Sequence, residues 1–340
     1  MIDVAFFVPT LNRNPMVLRA VHSCIAAIEH AGVTGRVIVL DSKSDDGSWE
    51  ALNAVFGDDL RVELRQNERG LGPTKSWCDN VAGFEAAYAT FLWSDDYVAR
   101  EFLTELLPPL REGAAVAIGH GKIRPAECEE PLSQEGRRGA LPADTVASAY
   151  FLKGTPDGDP LQVSPACALF PHAAVSSWLG RVEGMSRANG LREYFLWRRA
   201  IGPDLLLFFI ALGGVKDTVF RTQAEVAQFS AHEGSITISS SPWFLTMGYW
   251  LARCIAFCEA DLDFGAADRH AIAAELFVQG IVLKRRAPDE LPGFGDRSAV
   301  REAISREMEA VRAAAGKSIA SPVMLRPAWQ ALRRRMGSAG

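Results

Sequence analysis

Ala89-Thr90-Phe91-Leu92-Trp93-Ser94-Asp95-Asp96-Tyr97-Val98 is a short apolar run that breaks off in two adjacent carboxylates. A strand of this composition is suited to burial, and burying an unpaired carboxylate costs on the order of several kcal/mol. The two acids therefore need compensation where the strand emerges, and a divalent cation supplies it economically. Hard carboxylate oxygens suit Mg²⁺ or Mn²⁺, and these cations suit a diphosphate. The plainer alternative is a pair of loop acids capping the helix that starts near Arg100.

The surrounding pattern places this strand in a series. Val4–Val8, Arg36–Leu40, Leu60–Leu64, Thr90–Trp93 and Ala114–Ile118 read as strands; Pro15–His30, Ser48–Val55, Thr74–Tyr88 and Glu101–Leu110 read as helices. That alternation predicts an α/β fold whose central, Rossmann-like and mostly parallel sheet is flanked by helices. Ligands of such sheets sit beyond the carboxyl ends of the strands. Three polar loops fall there: Pro9-Thr10-Leu11-Asn12-Arg13, Asp41-Ser42-Lys43-Ser44-Asp45-Asp46-Gly47-Ser48, and Ser94-Asp95-Asp96. Asp41 closes a buried strand, where its carboxylate can accept a nucleobase N–H or bind ribose hydroxyls. Ser48 reads as the cap of the helix after it.

Composition narrows the function classes. The 340 residues carry a formal net charge of −5, which argues against a nucleic-acid partner. Six cysteines lack CxxC spacing, and the first residues read as a strand rather than a leader, so the expected compartment is the cytoplasm. Pro242 to Cys258 is the nearest approach to a membrane span, and Arg253 interrupts it. Residues 119–160 gather Gly, Pro and charge and read as a long connection over the active site. Regular structure resumes at Leu161–Phe170, continues through helices to Leu212 and a strand near Val215–Phe220, and ends in a helical third from Pro242 to Ala315.

Four motifs occur in a telling order: Val-Pro-Thr-Leu-Asn-Arg (8–13), Leu-Asp-Ser-Lys-Ser-Asp-Asp-Gly-Ser (40–48), Gln-Asn-Glu-Arg-Gly-Leu-Gly (66–72) and Trp-Ser-Asp-Asp (93–96). In this respect the chain resembles a family 2 glycosyltransferase with the GT-A fold, of the type that builds bacterial surface polysaccharides such as O-antigen or capsule. The resemblance covers residues 3–118 closely and 161–240 more loosely. It implies a nucleotide-sugar-binding half at 1–118, an acceptor-binding and catalytic half at 119–240, and a helical extension with a basic tail at 241–340.

The same resemblance implies an inverting transfer of sugar from a nucleoside-diphosphate donor of UDP, dTDP or GDP type to a hydroxyl of a glycan or lipid-linked acceptor. Pro9, Thr10 and Arg13 would wall the nucleotide and Asp41 would bind the base. Asn67, Arg69 and Gly70 would form the loop near base and sugar, with Lys75 and Asn80 on the next helix. The family's metal motif is Asp-x-Asp, and here serine stands where the first aspartate is expected. Asp96 then becomes the direct ligand of Mg²⁺ or Mn²⁺, and Asp95 falls on ribose or on a metal-bound water. His232, in Phe229-Ser-Ala-His-Glu-Gly-Ser, would reach metal or diphosphate. Asp204, at the first turn of an apolar helix, would be the catalytic base, ahead of Glu193 and Asp217; its alternative role is compensation of the helix dipole.

Two other readings compete. A catalytically silent nucleotide- or sugar-binding subunit fits the altered metal motif. A sugar-1-phosphate nucleotidyltransferase would need a glycine-rich basic loop after the first strand, which 9–13 does not provide. The tail Met324–Met336 aligns Trp329, Leu332 and Met336 beside its arginines, a pattern for peripheral contact with the inner face of a membrane. The aromatic C-terminal third offers a surface for a homodimer.

Overall fold

The computed structural model describes residues 2–67, 72–81, 83–126, 131–152, 154–155, 158, 161–215 and 217–316. The first strands and helices follow the expected alternation: β1 (Ile2–Thr10), α1 (Met16–Ala31), β2 (Gly35–Asp41), α2 (Ser48–Phe56), β3 (Val62–Gln66), α3 (Pro73–Val81), β4 (Ala86–Phe91), β5 (Tyr97–Val98) and α4 (Phe102–Arg111). They are followed by β6 (Val116–Pro125), β7 (Arg138–Pro142), α5 (Ala143–Leu152), β8 (Ala168–Pro171), α6 (His172–Arg187) and α7 (Gly190–Arg192). A π-helical turn at Glu193–Arg198 leads to α8 (Pro203–Leu212), β9 (Thr218–Ala231) and α9 (Ile236–Ser239). The chain then enters the helices α10 (Pro242–Glu259), α11 (Ala266–Arg285) and α12 (Arg297–Ala315).

The main sheet runs in the order β3-β2-β1-β4-β8-β6-β9-β5, with β7 added on β9. β1 to β4 pair in parallel, as the βαβ pattern requires, whereas β8 runs antiparallel between β4 and β6. Both faces are covered, so β1 is apolar from Val4 to Val8. Val4, Phe6 and Val8 enter the core under α1 and α4, while Ala5 and Phe7 enter the opposite core with α6, α8 and α10. Phe6 and Phe7 are fully buried, and each contributes about 1.5–3 kcal/mol through the area it removes from water.

Three sequence expectations change. The helix read as Thr74–Tyr88 stops at Val81, because Tyr88 is required as a strand residue opposite Val4 and Pro171. Leu60 is 87% exposed and lies outside β3, which starts at Val62. Residues 119–160 are not one long connection, since β6 continues to Pro125 and β7 and α5 follow. Gly119 and Gly121 misled the reading: they are packing positions in β6, where any side chain would collide with Val226 or with Cys167 and Phe229.

The C-terminal helices pack into the same apolar core as β1 and β4, which runs continuously from Ala5 to Ala315. A buried ion network adds to this: Arg192 donates to both Glu307 oxygens at 2.8 Å and to Glu259 at 2.7 Å. α10 also approaches the start of α8 closely, where Gly202 has φ 108° and faces Gly248. A methyl group at Gly248 would meet Ile201. Gly248→Ala is therefore expected to cost about 1–3 kcal/mol by overpacking, read as a lower denaturant midpoint with an unchanged m-value.

Candidate active site

The loops after β1 and β2 are stitched together by their own polar residues. Asn12 and Asp45 exchange hydrogen bonds at 2.8 and 2.9 Å, and Asn14 N–H donates to Asp46 at 2.9 Å. Ser48 is fully buried but does not cap α2 through its own side chain: it donates to Asp46 Oδ1 at 2.6 Å and accepts Arg13 N–H at 3.1 Å, and Gly47 holds the cap position. Arg13 is thereby fixed at the carboxyl edge of the sheet.

Its guanidinium spans two further loops. Nη2 donates to the Gly234 carbonyl at 3.0 Å, and Nε lies 3.8 Å from Asp95 Oδ2. The same Asp95 oxygen lies 2.9 Å from His232 Nε2. Residues from the ends of β1, β4 and β9 thus meet at one point. Arg19 of α1 secures the arrangement from beneath, donating to the Asp95 carbonyl at 3.1 Å and to Ser230 Oγ at 2.7 Å while its guanidinium lies over Tyr97.

The two aspartates face different ways. Asp95 keeps partial exposure beside Arg13 and His232. Asp96 turns inward, is 5% exposed, and accepts the Ser230 N–H at 2.9 Å. Burial, and then the neighbouring Asp95 charge, push the Asp96 carboxyl well above the usual carboxylate range. Asp95 and His232 present their polar atoms outward, whereas Asp96 faces the core. Among the described residues no group of three potential ligands occurs.

Asp41 is fully buried, and its carboxylate already accepts Ser44 Oγ–H at 2.5 Å and Gln66 Nε2–H at 3.0 Å. In this arrangement it holds the loop after β2. Pro9 and Thr10 complete β1 opposite Leu40 and Asp41, and the Thr10 carbonyl accepts Ser42 N–H at 2.9 Å. Asn67 N–H donates to the Asp41 carbonyl at 2.7 Å, and its side chain links Ser76 and Asn80 at 2.5 Å each. Lys75 pairs instead with Asp79 on the exposed side of α3. Arg69 and Gly70 lie outside the described residues.

Asp204 occupies the first turn of α8 and is 8% exposed. Tyr249 of α10 donates to Oδ2 at 2.9 Å, whereas Oδ1 is buried without a partner among the described residues. Burial raises this carboxyl to about 6, with the Leu205 backbone and the Tyr249 hydroxyl opposing the rise. Of the alternatives, Glu193 is taken by Arg198 at 2.7 Å, and Asp217 lies at the exposed start of β9.

Residues 5–145 match the model of glycosyl transferase family 2. No curated protein sequence matches the chain. Its fold is similar to that of TarS 1–349 from S. aureus, at 15% identity and a TM-score of 0.54, covering 92% of this chain and 88% of the other. The TarS complex with UDP-GlcNAc gives 16% and 0.55 over the same shares, and the complex with UDP gives 17% and 0.54 over 98% and 92%. The architecture is thus the GT-A fold with a helical C-terminal region.

The family 2 segment contains Arg13, Asp41, Asn67, Asp95 and Asp96, and the rest of the GT-A fold contributes His232, Asp204 and Tyr249. Sequence reasoning passed over Arg19, Ser230 and Tyr249. Arg19 carried a signal, being a cation between the buried Val17, Ala20 and Val21 of α1. Ser230 and Tyr249 carried none.

Proposed function

We propose that the chain is an inverting glycosyltransferase that moves a sugar from a nucleoside-diphosphate donor to a hydroxyl of a glycan or lipid-linked acceptor. The convergence of Arg13, Asp95 and His232 at the carboxyl edge of the sheet carries this reading. The family 2 match and the UDP-sugar complex of the similarly folded TarS support it.

The donor set fits a hard divalent cation. One carboxylate oxygen and one imidazole nitrogen stand together, donors that suit such a cation beside a diphosphate. Asp95 and His232 would hold Mg²⁺ or Mn²⁺, which when bound neutralises charge on the departing diphosphate. Arg13 adds a guanidinium directed at the same group, and its planar fork matches phosphate oxygens. Asp41, Ser44 and Gln66 shape the nucleoside side of the pocket. Asp204 takes the proton of the acceptor hydroxyl, and a carboxyl poised near 6 is matched to that task at neutral pH. The start of α3 docks on the turn that leads into α8, with Thr74 Oγ1 donating to the Leu196 carbonyl at 2.7 Å and Gly72 resting against Trp197. This contact links the donor loop to the element carrying the base.

Thermal-shift binding against UDP, dTDP, GDP, CDP and CMP, with and without Mn²⁺, tests the reading. One nucleoside diphosphate is expected to raise Tm, and the increment is expected to grow with metal. A folded sample that responds to none of them refutes the donor site. Residues 317–340, which include the basic tail, lie outside the described residues. No helix among the described residues is long and apolar enough to cross a membrane.

A further inference from the structure

The contact between α8 and α10 treats the two oxygens of one carboxylate differently. Tyr249 Oη donates to Asp204 Oδ2 at 2.9 Å, whereas Oδ1 is buried with no hydrogen-bond partner among the described residues. Native structures seldom leave a buried carboxylate oxygen in that condition, because its lost hydration goes uncompensated. Oδ1 keeps its lone pairs for a donor that arrives from outside the fold.

The pairing is built into the backbone. The π-helical turn at Glu193–Arg198 is followed by two residues in the left-handed region, Ala200 at φ 51° and Gly202 at φ 108°. Asp204 comes two residues later, in the first turn of α8. A side chain at Gly202 would meet the Gly248 carbonyl, and Gly248 immediately precedes Tyr249. The close approach of the two backbones therefore sets the reach from phenol to carboxylate. Backbone departures of both kinds are costly and recur at functional sites.

The other charged and titratable side chains on the elements packed against α8 are engaged elsewhere. On α10, Arg253 donates to the Tyr150 carbonyl at 2.8 Å, and Glu259 accepts Arg192 at 2.7 Å. On α6, Glu183 accepts Arg187 at 2.9 Å, Arg181 donates to the Glu259 carbonyl, and His172 Nδ1 lies 3.4 Å from Ser176 Oγ. On α5, Asp144 accepts the Thr145 N–H at 2.6 Å, and the Tyr150 hydroxyl donates to the Gln162 carbonyl at 2.8 Å. Burial pushes the thiols of Cys167, Cys254 and Cys258 up, which keeps them neutral.

We propose that Tyr249 is the positioning residue of the base, engaging Oδ2 and leaving Oδ1 as the atom that takes the proton of the acceptor hydroxyl. In that step the acceptor oxygen bonds the anomeric carbon, and the bond from that carbon to the nucleoside diphosphate breaks. The hydroxyl proton passes to Oδ1, and the Tyr249 proton stays on Oη. Burial, and then the Asp204 charge, push the Tyr249 phenol well above its ordinary range, so the hydroxyl remains a donor at neutral pH. The inference rests on the proposed reading of Asp204 as base for the path of the proton, and on the contact alone for the division of the oxygens.

The test compares the full chain with Tyr249→Phe, with Asp204→Asn and with the double variant. Unfolding is followed from pH 4 to pH 8. Without the phenol, the folded Asp204 carboxyl should rise from about 6 by about one pH unit. Relative to the parent, Tyr249→Phe is therefore expected to lose further stability between about pH 6 and pH 7. The two chains carrying Asp204→Asn should show no such difference from one another. Turnover is read as nucleoside diphosphate released from UDP-glucose, dTDP-glucose or GDP-mannose with water as acceptor. The acid limb of Tyr249→Phe should move up by the same interval, so that its rate falls about tenfold at pH 5 and stays within about threefold of the parent at pH 8. Its UDP affinity should be unchanged within twofold. Parallel pH courses of parent and Tyr249→Phe overturn the inference, as does a rate lowered equally at every pH, which is the mark of a merely structural role. Near-normal turnover in Asp204→Asn refutes the base reading itself, and release from none of the three donors counts against those donors; in both cases the unfolding courses judge the contact separately.

Discussion

Asp204→Asn is expected to lower kcat by about 10²- to 10⁴-fold, the usual contribution of a general base, with donor binding retained. The same substitution is expected to leave the protein no less stable at pH 7. The Asp204 carboxyl sits at about 6 when folded against 3.8 for an ordinary aspartate, because burial disfavours its charge. A group whose folded value is raised in this way binds its proton more tightly in the native state. Its charge therefore lowers stability as pH rises from about 4 to about 6, by roughly 3 kcal/mol, and the loss persists at higher pH. An amide still accepts the Tyr249 hydroxyl and carries no charge. The Tm difference between variant and parent should consequently grow in the variant's favour from pH 4 to pH 6.5. For the parent, kcat should fall below about pH 6 as the base protonates. Near-normal turnover in Asp204→Asn would remove Asp204 from the reaction.

Asp95 and Asp96 are adjacent, and substitutions of them should fail in different ways. Asp95→Ala removes the carboxylate that faces Arg13 and His232, and is expected to reduce kcat/KM by about 10²-fold or more together with any gain from Mn²⁺. Its Tm should remain close to the parent's, since a partly exposed pair contributes little to stability. Asp96→Ala leaves the buried Ser230 N–H without an acceptor and should cost about 1–3 kcal/mol of stability. Asp96→Asn preserves that acceptor and should preserve nucleotide binding. Loss of metal-enhanced UDP binding in Asp96→Asn would return the ligand role to Asp96. Comparing calorimetric binding with unfolding for the three variants separates the two roles.

The N-terminal half of the fold was legible because its signals are local. β1 is apolar on both faces, α1 keeps one buried stripe, and the polar loops after β1, β2 and β4 stand where a parallel sheet presents ligands. The second half was less legible. β8 is four residues long and runs antiparallel, and nothing in Ala168–Pro171 tells that direction from the opposite one. Gly119 and Gly121 resemble loop residues in sequence, yet their smallness serves strand packing.

The site followed the same division. The motifs singled out Arg13 and the Asp95–Asp96 pair as candidates, but which aspartate turns inward depends on Ser230, 134 positions away. The Tyr249 contact to Asp204 joins two helices and has no counterpart in periodicity or charge pattern. The core cluster, that contact and the Arg192–Glu307 ion pair each join residues from the two sides of position 240.

Every residue of α8 from Pro203 to Leu212 is buried, and much of its cover comes from helices made later. On the ribosome, α8 therefore emerges as an apolar rod well before the helices that enclose it. About 100 residues separate its end from the end of α12, which at about 5–20 residues per second amounts to roughly 5–20 s of exposure. During that interval the segment carrying Asp204 is the part of the nascent chain most open to chaperones and to aggregation. Substitutions that slow the docking of α10 should then reduce the yield of soluble protein more than its melting temperature would suggest.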